Sequence, residues 1–139
     1  MSVFTNLIGQ RINGIFVNDT HDRVAFRTNE GRYLGFYTSG ECCNNVYINH
    51  LSGTEVLGEG NSFDLLRGAL VLGVEEKEWV AVDEHDRGEC VEDGFFTIKT
   101  DRGYIDFEVR NEHNGYYGGH VGEDDDVDLT ELHEMREDF

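Results

Sequence analysis

The chain has 139 residues, 38% hydrophobic and 12% aromatic, which suits one domain with a core of its own and excludes wholesale disorder. It carries 29 acidic and 11 basic residues for a net charge of -18, which excludes a direct binder of nucleic-acid phosphates. No apolar run approaches the ~20 residues that a membrane-spanning helix requires.

The opening residues, Met1 to Asn6, lack the basic and apolar regions of a secretory signal. Residues 11–18 predict a first strand. In 22–28, Val24 and Phe26 alternate with Arg23 and Arg27, the period of two that marks a strand. Asn29-Glu30-Gly31 then reads as a hairpin turn into an aromatic-rich strand over 32–37. Residues 46–51 form a short apolar run, broken by Gly53, Gly58 and Gly60. Ser62 is placed to cap a single helical turn over 62–67. Residues 70–74 and 79–82 are further strand candidates, and 84–94 reads as a polar surface loop holding Cys90 and Val91.

The second half repeats the hairpin theme. Residues 95–100 lead into Asp101-Arg102-Gly103. The run 104–110 then sets Ile105, Phe107 and Val109 on one face and Tyr104, Asp106, Glu108 and Arg110 on the other. Thr28-Asn29-Glu30-Gly31 and Thr100-Asp101-Arg102-Gly103 therefore occupy equivalent places in two hairpins. Each hairpin runs into a loop rich in Asn or Gly, 39–45 and 111–119. The pattern is read either as a weak internal repeat or as two turns of one type. The expected fold is mainly β, an antiparallel meander or partly open barrel with one or two short helices, with α+β as the alternative.

The expected division is a β-rich domain over 1–122 and an acidic tail over 123–139. The tail holds nine acids and one base, so it carries -8 of the total charge. Val127, Leu129, Leu132, Met135 and Phe139 stand at roughly helical spacing, with Asp128 placed as a cap. The tail is read as a frayed solvating segment or as a short amphipathic helix needing a surface to dock on.

Three cysteines, Cys42, Cys43 and Cys90, form an odd set without CxxC spacing, which fits reduced structural thiols in a cytoplasm. His50, His113 and His120 add soft ligands, but no metal quartet is readable and no metal is expected. The run 123–128 lacks the spacing of a calcium loop. A thiolate–imidazole pair has nothing to bring it together, so no catalytic residue is assigned. The glycine-rich 115–119 stretch has no following helix, which removes the phosphate-cradle reading. Its tyrosines can still stack on a flat ligand, or simply close one end of the sheet.

Gly40-Glu41-Cys42-Cys43-Asn44-Asn45-Val46-Tyr47-Ile48, the opening Leu7-Ile8-Gly9 and the late Asn114-Gly115-Tyr116-Tyr117 carry a resemblance. In that order, over about residues 7 to 121, they resemble a family of small phage-encoded and bacterial proteins classed as a domain of unknown function. The resemblance implies a β-dominated domain of phage origin and brings no catalytic residues.

Two functional expectations follow. The first is a non-catalytic interaction protein, acting in the bacterial host cytoplasm without a cofactor. Its acids, with Asp124, Asp125, Asp126, Asp128 and Glu131 foremost, engage a basic surface on a host protein, such as a defence or nucleic-acid enzyme, as a DNA mimic would. The alternative is a binder of a small nucleotide-like molecule, with Cys42, Cys43, Asn44, Asn45, Asn114, Tyr116 and Tyr117 at the mouth of a pocket. Neither involves a membrane, and an edge-paired homodimer is compatible with both.

Overall fold

Alternation of apolar and polar residues decides the architecture. The computed structural model describes residues 3–40, 45–55, 67–77, 79–84, 90–113, 119–124 and 126–135. Its strands are β1 (Arg11–Asn18), β2 (Arg23–Thr28), β3 (Tyr33–Gly40), β4 (Asn45–Glu55) and β5 (Ala69–Glu76). They continue as β6 (Val80–Glu84), β7 (Cys90–Thr100), β8 (Gly103–His113), β9 (Gly119–Asp124) and β10 (Leu132–Glu134). All belong to one antiparallel sheet in the order β4-β8-β7-β5-β1-β2-β3-β9, with β6 added to β7 and β10 to β1. The chain is thus mainly β. The helical pieces among the described residues are two short 3-10 turns, Val3–Leu7 and Leu129–Glu131.

The sheet coils until its two halves face each other. Val24, Phe26 and Phe36 from one half are buried together with Phe96, Ile98, Ile105, Phe107 and Val109 from the other. The rings of Phe26 and Phe107 meet edge to face at 5.9 Å. Phe4, on the first 3-10 turn, plugs the space between the halves, with ring centroids 4.5 Å from Phe36, 5.5 Å from Phe96 and 5.4 Å from Phe107. Full burial of each such side chain contributes roughly 1.5–3 kcal/mol. The end strands β4 and β9 do not pair with each other, so the barrel stays open. The gap is stitched by the Ile48 N–H donating to the His21 carbonyl at 2.7 Å and by the Thr38 hydroxyl donating to the Val46 carbonyl at 2.8 Å.

The strand order is a palindrome about the β1–β5 seam, where Arg11 opposes Leu70 and Ile12 opposes Ala69. β1 opens on Ile12 paired with Thr28, then bulges before Gly14. β5 does the same, with Val71 paired with Thr100 and a bulge before Gly73. The Asn29 N–H donates to the Arg11 carbonyl, and the Asp101 N–H donates to the Leu70 carbonyl, each at 3.0 Å. Buried Thr28 and Thr100 hydroxyls each accept turn N–H groups, from Arg32 at 3.3 Å and from Gly103 at 3.0 Å. The two hairpins singled out in the sequence are therefore equivalent parts of a duplicated meander.

Several segments differ from the sequence expectation. Gly53, expected to break the 46–51 run, lies within β4, which continues to Glu55. Residues 90–94, read as loop, form the first half of β7. Asp93, one of the polar residues of that stretch, is buried because Arg110 on β8 meets it. Residues 111–113 continue β8, and Asn111 is buried while donating to the Glu92 carboxylate at 2.9 Å. Residues 119–124 are strand β9 rather than the end of a loop and the start of a tail. The tail over 129–134 is neither a frayed segment nor an amphipathic helix but a 3-10 turn followed by β10. The exposed edge of β1 at Phe16–Asn18 needs backbone partners, and Leu132–Glu134 supply them. The helical turn expected over 62–67 lies, apart from Arg67, outside the described residues.

Candidate functional site

The loops expected to frame a ligand connect the two halves. Cys42, Cys43, Asn44, Asn114, Tyr116 and Tyr117 lie outside the described residues, but their stems do not. Gly40 opposes Gly119, and Asn45 opposes Glu112. Both crossings, 41–44 and 114–118, therefore leave the same end of the sheet. Asn45 itself is exposed at the start of β4. At that end Cys90 opposes His113, and Ser39 opposes His120. Among the described residues no three His, Cys, Asp or Glu side chains converge to hold a metal.

The outer face of β4, β8 and β7 carries the clearest charge pattern. Period two along β8 sends Ile105, Phe107 and Val109 inward and turns Asp106, Glu108, Arg110 and Glu112 outward. Successive outward positions lie roughly 6.7 Å apart. Arg110 is neutralised there, with Nε and Nη2 donating to the two Asp93 carboxylate oxygens at 2.9 and 3.1 Å. Hydrogen bonding to Asp93 first, and then its negative charge, raise the Arg110 pKa further above its ordinary range. The other outward acids meet neutral donors: Thr97 for Asp106, Asn49 for Glu108 and Tyr47 for Glu112. Burial, and then the Glu112 carboxylate, push the Tyr47 hydroxyl above its usual pKa. Exposed Phe95 and Tyr104 flank the acids. This face follows the alternation read in 104–110, whereas the expected partner contacts lay in the tail.

The tail acids divide. Asp124, on β9, accepts from Arg23 at 2.9 Å, and its side chain is only 12% exposed, so it is committed within the chain. Asp125 lies outside the described residues. Asp126, Asp128 and Glu131 are exposed. Asp128 caps the second 3-10 turn, accepting from the Thr130 N–H at 3.0 Å, and its hydrogen bonds with Thr130 lower its pKa.

A second cluster had no local sequence signal. The bulge in β1 leaves the Asn13 carbonyl outside the ladder, where Arg27 donates at 2.9 Å and Arg67 at 3.3 Å. Arg27 also lies over the Phe16 ring, 5.2 Å from its centroid. Both guanidiniums face the Glu134 carboxylate on β10: Arg67 bonds it directly, and Arg27 stands 3.8 Å away.

The cavities described are small. One lies under the β10 strand, lined by Ile12, Ile15, Ile105 and Met135, and another lies at the open seam, lined by Phe4, Ile48 and Val121. Each offers about 10 Å³, near what one water needs and far below a ligand pocket of roughly 300 Å³. No helix among the described residues is long and apolar enough to cross a membrane.

A family model described as "Domain of unknown function (DUF7448)" matches residues 5–122. The match ends inside β9 and leaves β10 outside. No curated protein and no solved structure matches the chain.

Proposed function

The chain belongs to the DUF7448 family, a domain of unknown function, and from that premise we propose that it is a non-catalytic interaction protein presenting an acidic face to a basic protein surface. One observation carries the reading. Asp106, Glu108 and Glu112 project from a single strand, where Thr97, Asn49 and Tyr47 donate to them. A row of carboxylates on a rigid sheet keeps its charge and its spacing, and it presents both to a partner with little ordering cost. Exposed Asp126, Asp128 and Glu131 add to the same field. The partner that fits is a basic surface of a bacterial host protein in the cytoplasm, such as a defence or nucleic-acid enzyme whose channel normally holds phosphates. The phage origin implied by the sequence motifs belongs to this same proposal.

The test is capture of host proteins on immobilised chain at low and high salt, with duplex DNA as competitor. The triple variant Asp106→Lys, Glu108→Lys, Glu112→Lys is expected to lose capture, as is the native chain at high salt. DNA is expected to displace the captured protein. Undiminished capture by the triple variant would overturn the reading.

A second reading, small-ligand binding by the 42–45 and 114–117 loops, rests on the shared end of their stems. Native mass spectrometry of gently purified protein tests it. A bound mass lost in Tyr116→Ala, Tyr117→Ala supports it, and a bare protein mass counts against it.

A further inference from the structure

β1 offers two edges. One pairs with β2 along most of its length. The other pairs with β5 at Arg11 and Ile12 and is closed beyond them by three residues of β10. Phe16 opposes Glu134, Val17 opposes His133, Asn18 opposes Leu132, and the Met135 N–H donates to the Ile15 carbonyl at 2.7 Å. Beside this edge the Asn13 carbonyl holds Arg27 and Arg67 together. Two neighbouring guanidiniums repel each other unless an anion joins them, and the Glu134 carboxylate does so. The edge therefore selects an extended strand with a carboxylate opposite Phe16 and an apolar side chain next to it, where Met135 packs against the core.

The occupant is modestly held. Its ladder is three residues long, and the space beneath Met135 is incompletely filled. It also lies beyond residue 122, where the family match ends, whereas Asn13, Gly14, Arg27 and Arg67 all lie inside the match. The receptor thus lies within the matched span, and its occupant lies beyond it.

We propose that the β1 edge with Arg27 and Arg67 is a docking site for an extended acidic segment of a partner protein, joined by strand addition, and that the C-terminal strap is its built-in occupant. The strap shares a chain with the site and so competes at millimolar effective concentration. A partner must displace it, which makes the site conditional. The proposal stands independently of the acidic-face reading.

The experiment uses the full chain and a fluorescent peptide of residues 126–139 as probe. Glu134→Lys sets a third cation against Arg27 and Arg67 and is expected to release the strap. Hydrogen exchange reads that release as lost protection of the Met135 amide. The released variant is expected to bind the peptide at least about tenfold more tightly than the native chain does. A peptide carrying Glu134→Lys is expected not to bind. Adding Arg67→Glu to the Glu134→Lys chain is expected to restore strap protection and abolish peptide binding. Equal peptide affinity in native and Glu134→Lys chains, or a strap that stays protected in the variant, would overturn the proposal. So would a native chain that dimerises with concentration through the strap, since the occupant would then be a second copy.

Discussion

The Gly68 N–H donates to the Ile12 carbonyl at 2.7 Å, and the Gly9 N–H donates to the Val71 carbonyl at 2.9 Å, so the two glycines answer each other across the β1–β5 seam. Both adopt left-handed backbone, with φ of 87° at Gly9 and 76° at Gly68. A Cβ at Gly9 would meet nothing within 4 Å, and one at Gly68 only the Arg102 guanidinium at 3.9 Å. The expense of a side chain is therefore the backbone's alone. Gly9→Ala and Gly68→Ala are each expected to lose about 1–2 kcal/mol in urea unfolding, by similar amounts. A neutral Gly9→Ala would show that the seam does not depend on this geometry.

Phe4 is the element both halves share. It is 2% exposed and lies against rings from β2, β3, β7 and β8. Phe4→Ala removes a ring that backbone shifts cannot readily replace, and a loss of about 3–5 kcal/mol is expected. Chemical denaturation gives the value. A loss under about 1 kcal/mol would mean that the turn is not a plug.

The Asp93–Arg110 pair gives a stability prediction. The Asp93 side chain is 3% exposed. Arg110→Met would leave that carboxylate buried without its cation, at about 3–5 kcal/mol near neutral pH. Urea midpoints of the native and variant chains check this. A deficit under about 1 kcal/mol would sink it.

Asp22 gives a pH-dependent prediction. Burial acts to raise its pKa, but hydrogen bonds from Asn18 and Thr20 and its own backbone surroundings outweigh that, and the result lies below the ordinary 3.8. A lowered folded-state pKa contributes stability that is present above the unfolded value and is lost as pH falls through the folded one. Asn18→Ala is expected to move the Asp22 titration upward in an NMR pH series and to bring acid unfolding to higher pH. An unchanged titration would assign the shift elsewhere.

Much of the sheet was legible because period two is a local signal. β1 falls on the expected residues, and the inward set Ile105, Phe107 and Val109 was readable directly. Two of the misreadings share one cause, which is a polar residue satisfied from far along the chain. Asp93 looked like loop until Arg110 was placed beside it, and Glu134 looked like solvated tail until Arg27 and Arg67 were. Phe4 escaped because one turn is too short to show a period. The acidic face was present in the alternation of 104–110, but the tail carries the denser run of charge.

The crossings at 41–44 and 114–118 exchange strands between the repeats. β4 follows the first meander yet completes the second by pairing with β8, while β9 follows the second and completes the first by pairing with β3. Each repeat on its own would end in an unpaired strand and an uncovered core. Neither is expected to fold alone, and the molecule is expected to melt in a single all-or-none transition, with a chain severed between β4 and β5 regaining structure only when both fragments are mixed.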